Sequence, residues 1–253
     1  MNPIYNQIGQ TYSLGRRTDP HIAAQLHSHL EGASSLLNIG AGTGSYEPKH
    51  IPVTAVEPSS TMIKQRLTSS HVTTNVIQGP AESLAVADKS FSHAMTVLSM
   101  HHWQDRAKAF SEIKRVTRER FVALTWDPAA DPFWLTRDYF PELYQIDQKN
   151  FPALSEFEQA FGNISVSALK IPANCIDGFL AAYWQRPEAY LDELVRKNIS
   201  TFSRLRNCEE SLNRLRDDIS SGAWEEKNSE ILQYEFIDVG YRIVSIDIQK
   251  IKG

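Results

Sequence analysis

The sequence predicts an α/β fold built on a doubly wound, mostly parallel sheet. Two observations carry this expectation. Short apolar runs alternate with helix-spaced apolar patterns from Asp19 to Trp126. The first of those runs, Ser35 to Ile39, leads straight into Gly40-Ala41-Gly42-Thr43-Gly44. Strands that alternate with helices pair in parallel through crossovers, and a glycine cluster after the first strand marks a ligand-binding turn. A chain of 253 residues accommodates one such domain with a small attachment.

The elements follow in order. Asp19 and Pro20 start a helix as N-cap and first helical residue, with Ile22, Leu26 and Leu30 at helical spacing and Gly32 as the stop. Leu36 to Ile39 is the first strand, and Val53 to Val56 the second, ending at Glu57-Pro58. Ser59 caps a helix carrying Met62, Ile63, Arg66 and Leu67. Asn75 to Gln78 is a third strand, and Phe91 to Leu98 holds a fourth. Asp105 caps a helix with Ala109, Phe110, Ile113 and Val116 inside, before a fifth strand from Phe121 to Trp126.

Beyond Trp126 the pattern changes. Asp127-Pro128 and Asp131-Pro132 mark loops, and aromatics gather at Phe133, Trp134, Tyr139, Phe140 and Tyr144. Ile164 to Leu169 reads as a strand and Tyr241 to Ile248 as a closing one. Between them, residues 177–221 read as helical, with Leu191, Val195, Ile199 and Phe202 on one helix and Leu212, Leu215 and Ile219 on a second that ends at Gly222. The expected organisation is an N-terminal helical lid over 1–34 and a sheet domain over 35–170 and 231–253. A helical cap over 171–230 is inserted between the last two of seven strands.

Net charge is −4 with acidic and basic residues interspersed, so neither a nucleic-acid footprint nor a polybasic membrane surface is present. Cys175 and Cys208 stand far apart without ligand-spaced partners, which fits a reducing compartment and gives no disulfide framework or zinc site. With no signal-peptide pattern and no apolar run of spanning length, a cytoplasmic protein without membrane insertion is expected.

Glycine at the strand-to-helix turn lets backbone approach a ligand without a Cβ in the way. The spacing here is G-x-G-x-G, whereas a dinucleotide fingerprint is G-x-G-x-x-G. Glu57, seventeen positions after Gly40 at the end of the second strand, offers two acceptor oxygens for the ribose hydroxyls of an adenosine. Both S-adenosylmethionine and NAD carry that diol.

Four segments in sequence order resemble the motifs of the class I S-adenosylmethionine-dependent methyltransferases. The likeness is strongest to the type-11 group that includes the ubiquinone/menaquinone C-methyltransferases. They are Leu37 to Gly44, Val56 to Met62, Gly79 to Leu84, and Phe91 to Trp103, and the resemblance covers about Ser35 to Trp126. It implies a Rossmann-like seven-stranded sheet and S-adenosyl-L-methionine as cofactor. It further implies that Asn38, Gly40, Ala41, Gly42 and Gly44 surround the methionine moiety and that Glu57 holds the ribose. Pro58 and Met62 would then flank one adenine face, with Ala81, Glu82 and Leu84 near the other and Leu98 beside the cofactor. Three positions depart from the family pattern. Asn38 stands where an acidic residue is usual, Pro80 replaces a common Asp, and only Ser45 to Pro52 lie between glycine loop and second strand, so the first helix must be short.

In similar methyltransferases an N-terminal helix covers the cofactor, and a basic residue there pairs with its carboxylate; Arg16 is the candidate. His101 is the candidate general base, because histidine titrates near neutrality. The acceptor pocket is expected above the carboxyl ends of the strands, lined by Tyr12, Trp103, Trp126, Trp134, Tyr183 and Trp184. Such a lining suits a planar or apolar acceptor, and a small-molecule methyl acceptor is expected rather than nucleic acid because the chain has no basic stripe. Two rival readings stand beside methyl transfer: a non-catalytic cofactor- or partner-binding protein of the same fold, and an NAD-dependent oxidoreductase.

Overall fold

All seven strands read from the sequence are present in the structure, a computed structural model that describes residues 15–68 and 75–251. They are β1 (Leu36–Ile39), β2 (Val53–Glu57), β3 (Asn75–Gln78), β4 (Phe91–Val97), β5 (Thr117–Trp126), β6 (Ser165–Ala168) and, after a short two-residue strand β7 (Ile171–Pro172) and its partner β8 (Phe236–Ile237), β9 (Tyr241–Asp247). The seven form one sheet in the order β3-β2-β1-β4-β5-β9-β6. The first five run parallel, whereas β9 is antiparallel to both β5 and β6. The fold is a Rossmann-like, doubly wound α/β sheet.

Both faces of this sheet are covered, so its strands bury residues of both parities. On one face Leu36, Val122, Leu124 and Ile243 pack with Ile22, Leu26 and Leu30 from α1 (Pro20–Ser28) and the turn after it. On the other, Leu37, Ile39, Phe121 and Val244 meet Ala109, Phe110, Ile113 and Val116 of α3 (Arg106–Val116), the inner face expected from the sequence. The caps are also as expected. Asp19 accepts from the His21 and Ile22 amides, and Asp105 from the Lys108 amide. Ser59 Oγ accepts from the Met62 amide at the start of α2 (Ser60–Thr68), whose buried residues are Met62 and Arg66.

Two helical expectations need correction. Residues 40–52 form turns with no helix, because Pro48 and Pro52 interrupt them and Tyr46 adopts φ 66°. The segment instead drives Tyr46, 1% exposed, into the core. The helix expected to carry Leu191 through Phe202 is broken in three. Pro187–Leu191 is a tight turn, Asp192 then caps the short α6 (Glu193–Lys197), and Phe202–Arg204 is a second turn. The following helix α7 (Glu209–Ser221) buries Leu212 and Leu215 and ends on Gly222 at φ 81°, as read. α4 (Pro141–Asn150) and α5 (Leu154–Phe161) carry no expectation from the sequence, whereas α8 (Ala223–Lys227) falls within the stretch 171–230 expected to be helical. Trp134, Leu135, Tyr139 and Phe140 join Tyr190, Phe202, Leu215 and Trp224 in a third apolar cluster.

A buried carboxylate ties these parts together. Asp177, 1% exposed, accepts from Arg16 Nε at 2.7 Å and Nη2 at 3.2 Å, and from the Tyr46 hydroxyl at 2.8 Å. The amides of Arg17 and Gly178 complete its shell at 3.2 and 2.7 Å. Burial and the neighbouring Asp177 charge hold the Tyr46 phenol well above its ordinary range, so it donates this hydrogen bond at all physiological pH. Removing one member of a buried ion pair strands the other charge at a cost of about 3–5 kcal/mol. We predict that Asp177→Ala loses stability of that order in urea unfolding, whereas Tyr46→Phe loses only about 1 kcal/mol. An Asp177→Ala midpoint equal to the wild type would remove the hub from the account of the fold.

Candidate active site

β1 pairs with β2 on one side and β4 on the other, so the chain leaves the sheet in opposite directions from the carboxyl end of β1. Ligand crevices of open α/β sheets form at such a switch point. The glycine loop lies there. The amides of Gly40 and Ala41 both donate to Val56 O, at 2.9 and 3.1 Å, which ties the loop to the end of β2. Gly40 sits at φ 68°, and a Cβ there would lie 2.3 Å from Ser99 Oγ. Gly42, at φ 53°, is open by contrast: a Cβ there would meet only the tip of Met62, at 3.4 Å.

Glu57 clamps this loop. Its Oε2 accepts from the Gly42 amide and its Oε1 from the Ser59 amide, both at 2.8 Å. Burial pushes the Glu57 carboxyl above the usual range, while those two amides and Arg66 draw it back. Each oxygen has two lone pairs, so both retain acceptor capacity. Beneath the loop, Asn38 Nδ2 donates to Glu47 Oε1 at 2.7 Å, and Arg66 Nη2 donates to Glu47 Oε2 at 2.6 Å. The carboxylate absent from position 38 thus stands next to it, paired with a buried guanidinium. Asn38 Oδ1 is buried and has no hydrogen-bond partner.

Residues 37–121 match the family model of a methyltransferase domain. Across 92% of its length the chain is 33% identical to a solved structure from Anabaena variabilis, described as a methyltransferase from an antibiotic biosynthesis pathway. The match covers 98% of that protein with a TM-score of 0.84. The chain belongs to the class I S-adenosylmethionine-dependent methyltransferases. More distant structures share the fold. A methyltransferase of Thermotoga maritima is 16% identical with a TM-score of 0.52, over 97% of this chain and 93% of that one. Phosphoethanolamine N-methyltransferase 2 of Haemonchus contortus, in complex with S-adenosylmethionine, is 13% identical with a TM-score of 0.55, over 94% of this chain and 56% of that one. No curated protein matches the sequence.

As a member of that family the methyltransferase uses S-adenosylmethionine, and the dinucleotide reading is set aside. Around the loop, Met62, Ala81 and Leu84 are buried and Pro58 is half-buried. The 81–84 segment is held from α3. Glu112 Oε2 accepts from the Leu84 amide at 2.8 Å, and Arg115 donates to the carbonyls of Leu84 and Val86, each at 2.8 Å. The Arg115 guanidinium keeps the Glu112 carboxyl below its ordinary value. Glu82 turns away from its own segment, accepting from the amides of Gln104 and Asp105 at 2.7 and 3.2 Å. It braces the loop that follows β4.

That loop begins at Leu98, a non-glycine residue at φ 47°, a conformation sustained only where surroundings impose it. Thr96 Oγ1 donates to Ile39 O at 2.8 Å and accepts from Ser99 Oγ at 2.7 Å, with Ser99 Oγ also 3.2 Å from Ile39 O, which ties β4 to the end of β1. His101 stacks on Phe151 with centroids 4.3 Å apart and its Nδ1 buried. Burial, His102, Arg204 and Arg16 all disfavour its charged form, so its pKa lies well below the ordinary value. Burial and Arg204 likewise lower His102, to about 4. Both imidazoles are neutral at pH 7.

The sequence-named residues divide between cavity walls and core. Arg16, Leu98 and His101 line one cavity with Asp147, Phe151 and Tyr241. Arg16 reaches that wall while its Nε and Nη2 hold Asp177, which supplies the carboxylate the sequence had assigned to a ligand. Trp126 lines an adjacent, smaller cavity with Phe133, Tyr144, Asp147, Leu180 and Tyr241. Trp134 and Trp184 are core residues, 2% and 0% exposed, with indole N–H groups donating to Trp184 O and Pro172 O. Trp103 packs edge-on against Phe110 below the loop, and Tyr183 packs edge-on against Tyr190 beneath Arg186. Neither lines these cavities, because each ring is taken up by those neighbours. Tyr12 lies outside the described residues.

Sequence reasoning missed Glu47, Ser99, Asp147 and Asp177. Glu112 and Arg115 alone carried a local signal, an i,i+3 charge pair beside the inner face of α3. Two outcomes follow. Gly40→Ala is expected to cost about 1–3 kcal/mol and to weaken S-adenosylhomocysteine binding, with Ser99→Gly restoring part of both by vacating the clash. No rescue in calorimetry would show that close packing is not the reason for Gly40. The second concerns pH. A histidine whose folded pKa is depressed contributes stability above its unfolded value near 6.5, lost as pH falls toward 4. His102→Phe should therefore lose less stability than wild type between pH 6.5 and 4.5. The comparison isolates the imidazole from Glu57 and Asp147, whose raised values act with the opposite sign.

Proposed function

We propose that this methyltransferase binds S-adenosylmethionine across the glycine loop and transfers its methyl group in line to a small-molecule acceptor held under the cap. The observation that supports the cofactor pose is the loop itself: an open Gly42, a clamping carboxylate with spare lone pairs, and a buried acceptor at Asn38 Oδ1 without a donor. The donor set of the cofactor matches these groups. Its ribose hydroxyls suit Glu57, and its ammonium suits Asn38 Oδ1 with the Glu47 carboxylate one contact behind. Gly40, Ala41 and Gly44 present backbone to the methionine moiety, and Leu98 shapes its far side. Pro58 and Met62 face one side of adenine, with Ala81 and Leu84 on the other. Glu82 belongs to the site through its backbone, since its carboxylate is engaged by Gln104 and Asp105.

When bound, S-adenosylmethionine supplies a methyl group on a sulfonium, so the acceptor's lone pair forms the new bond as the carbon–sulfur pair returns to sulfur. The protein's work is to align the acceptor and exclude water. His101 is suited to shaping the pocket as a neutral ring, because the same burial that keeps it unprotonated makes it a weak base. Arg16 anchors the chain at residues 15–17 to Asp177 and lines the cavity. Residues 15–34 serve as a lid, and the segment between β6 and β9 as a cap. No described helix is long and apolar enough to cross a membrane.

Isothermal titration calorimetry tests the reading. Wild type is expected to bind S-adenosylhomocysteine but not NAD, and Glu57→Ala to weaken that binding by about 10- to 100-fold, the worth of hydrogen bonds to a charged group. Unchanged affinity in a folded Glu57→Ala protein would refute the ribose role. A failure of the wild type to bind would refute the pose altogether.

A further inference from the structure

Asp147 stands where the two cavities meet, since it lines both together with Leu180 and Tyr241. It lies on α4, far in sequence from the glycine loop, and is 8% exposed. Thr201 donates to its Oδ1 at 2.9 Å. Among the described residues its other oxygen accepts no hydrogen bond, and no cation lies within 4.0 Å. Its charged and titratable surroundings are the exposed Arg204, which acts at longer range, Arg16 (held by Asp177) and the neutral His101 across the larger cavity, the Tyr241 phenol, and Tyr144 and Asp131 across the smaller one. Burial pushes the Asp147 carboxyl up to about 7, against the pull of Thr201 and Arg204. A buried carboxylate without a counter-ion is costly; protonation relieves it, and so does a cation, which keeps it ionised.

The rest of the smaller cavity agrees in chemistry. Its other polar side chains are already engaged: Trp126 Nε1 donates to Val239 O at 2.9 Å, the Tyr144 hydroxyl to Ala130 O at 2.8 Å, and Thr136 Oγ1 to Phe133 O at 3.2 Å. What remains is aromatic. Trp126 and Tyr144 meet edge-on at 5.7 Å, and Phe133 and Tyr241 complete the wall. Asp131 stands exposed at the rim, and no Lys, Arg or His lines the cavity. Aromatic faces and two carboxylates with no opposing cation attract positive charge and repel anions.

We propose that this cavity takes an amine carried on an apolar or aromatic body, and that the open oxygen of Asp147 receives the ammonium. The proposal rests on the methyltransferase reading, since it names the acceptor class of that same site. Asp147 is the recognition residue. Trp126, Phe133, Tyr144 and Tyr241 supply the apolar wall, which a hydrophilic amine would not repay.

Three probes of like shape and different charge test it: phenethylamine, 2-phenylethanol and phenylacetate. Binding is read by thermal shift and calorimetry on the full chain with S-adenosylhomocysteine present. Wild type is expected to prefer phenethylamine over the alcohol by about 10-fold and to ignore phenylacetate. Asp147→Asn keeps an oxygen for Thr201, so it is expected to bind S-adenosylhomocysteine as wild type does while losing the amine preference. The wild-type ranking decides even where the variant folds poorly. Equal binding of the three probes, binding of none, or an amine preference that survives in folded Asp147→Asn overturns the inference while leaving the methyltransferase intact. Loss of S-adenosylhomocysteine binding in wild type would instead overturn the reading beneath it.

Discussion

A buried carboxylate can persist only when its charge and lone pairs are answered, and Asp177 is answered by three separate stretches of chain. Arg16 and Arg17 come from the N-terminal arm, Tyr46 from the connection between β1 and β2, and Gly178 from the segment after β7. Arg16 and Arg17 are thereby held against the segment after β7, beside the cavity that Arg16 lines. The connection after the glycine loop is drawn inward, as Tyr46 needs an acceptor for a hydroxyl that burial keeps protonated. Apolar packing supplies the bulk of the stabilisation, yet it is non-directional. The directional choice among packings is made here, in a shell of five hydrogen bonds.

The glycine loop depends on that arrangement. Without a helix after β1, no long macrodipole points at the site, and the loop's shape is set by side chains instead. Glu57 holds Gly42 from the β2 side, and Thr96 with Ser99 holds Ile39 from the β4 side. Glu47, brought close by the inward turn at Tyr46, joins Asn38 to Arg66 below. Asn38 thereby stands beside a carboxylate while its own oxygen stays available. The charge has moved by one residue contact, which accounts for a family member that lacks an acid on β1.

On the acceptor side the division is between rings that fill space and rings that line it. Trp134 and Trp184 lie in two different apolar clusters, each with its N–H satisfied by a carbonyl. Trp126 is anchored in the same way through Val239 O, yet its face is turned to a cavity. Local sequence cannot separate these roles. The same residue type, with the same need for a partner, occurs in both.

The sequence alone determined the sheet and the cofactor loop. The seven strands, the caps at Asp19, Ser59 and Asp105, and the inner face of α3 follow from period and capping chemistry, which act within a few residues. The G-x-G-x-G spacing followed by Glu57 was equally local, as were the motifs that identify the family. Tertiary structure alone decided which carboxylates matter. Asp177 meets Arg16 across 161 residues, Asp147 meets Thr201 across 54, and nothing in their neighbouring residues sets them apart from other aspartates. It also decided that residues 40–52 form turns and that the expected helix through Leu191 and Phe202 breaks, because buried side chains there outweigh weak helical propensity. Periodicity is written along the chain, whereas the pairing of buried charge is a property of what folding brings into contact.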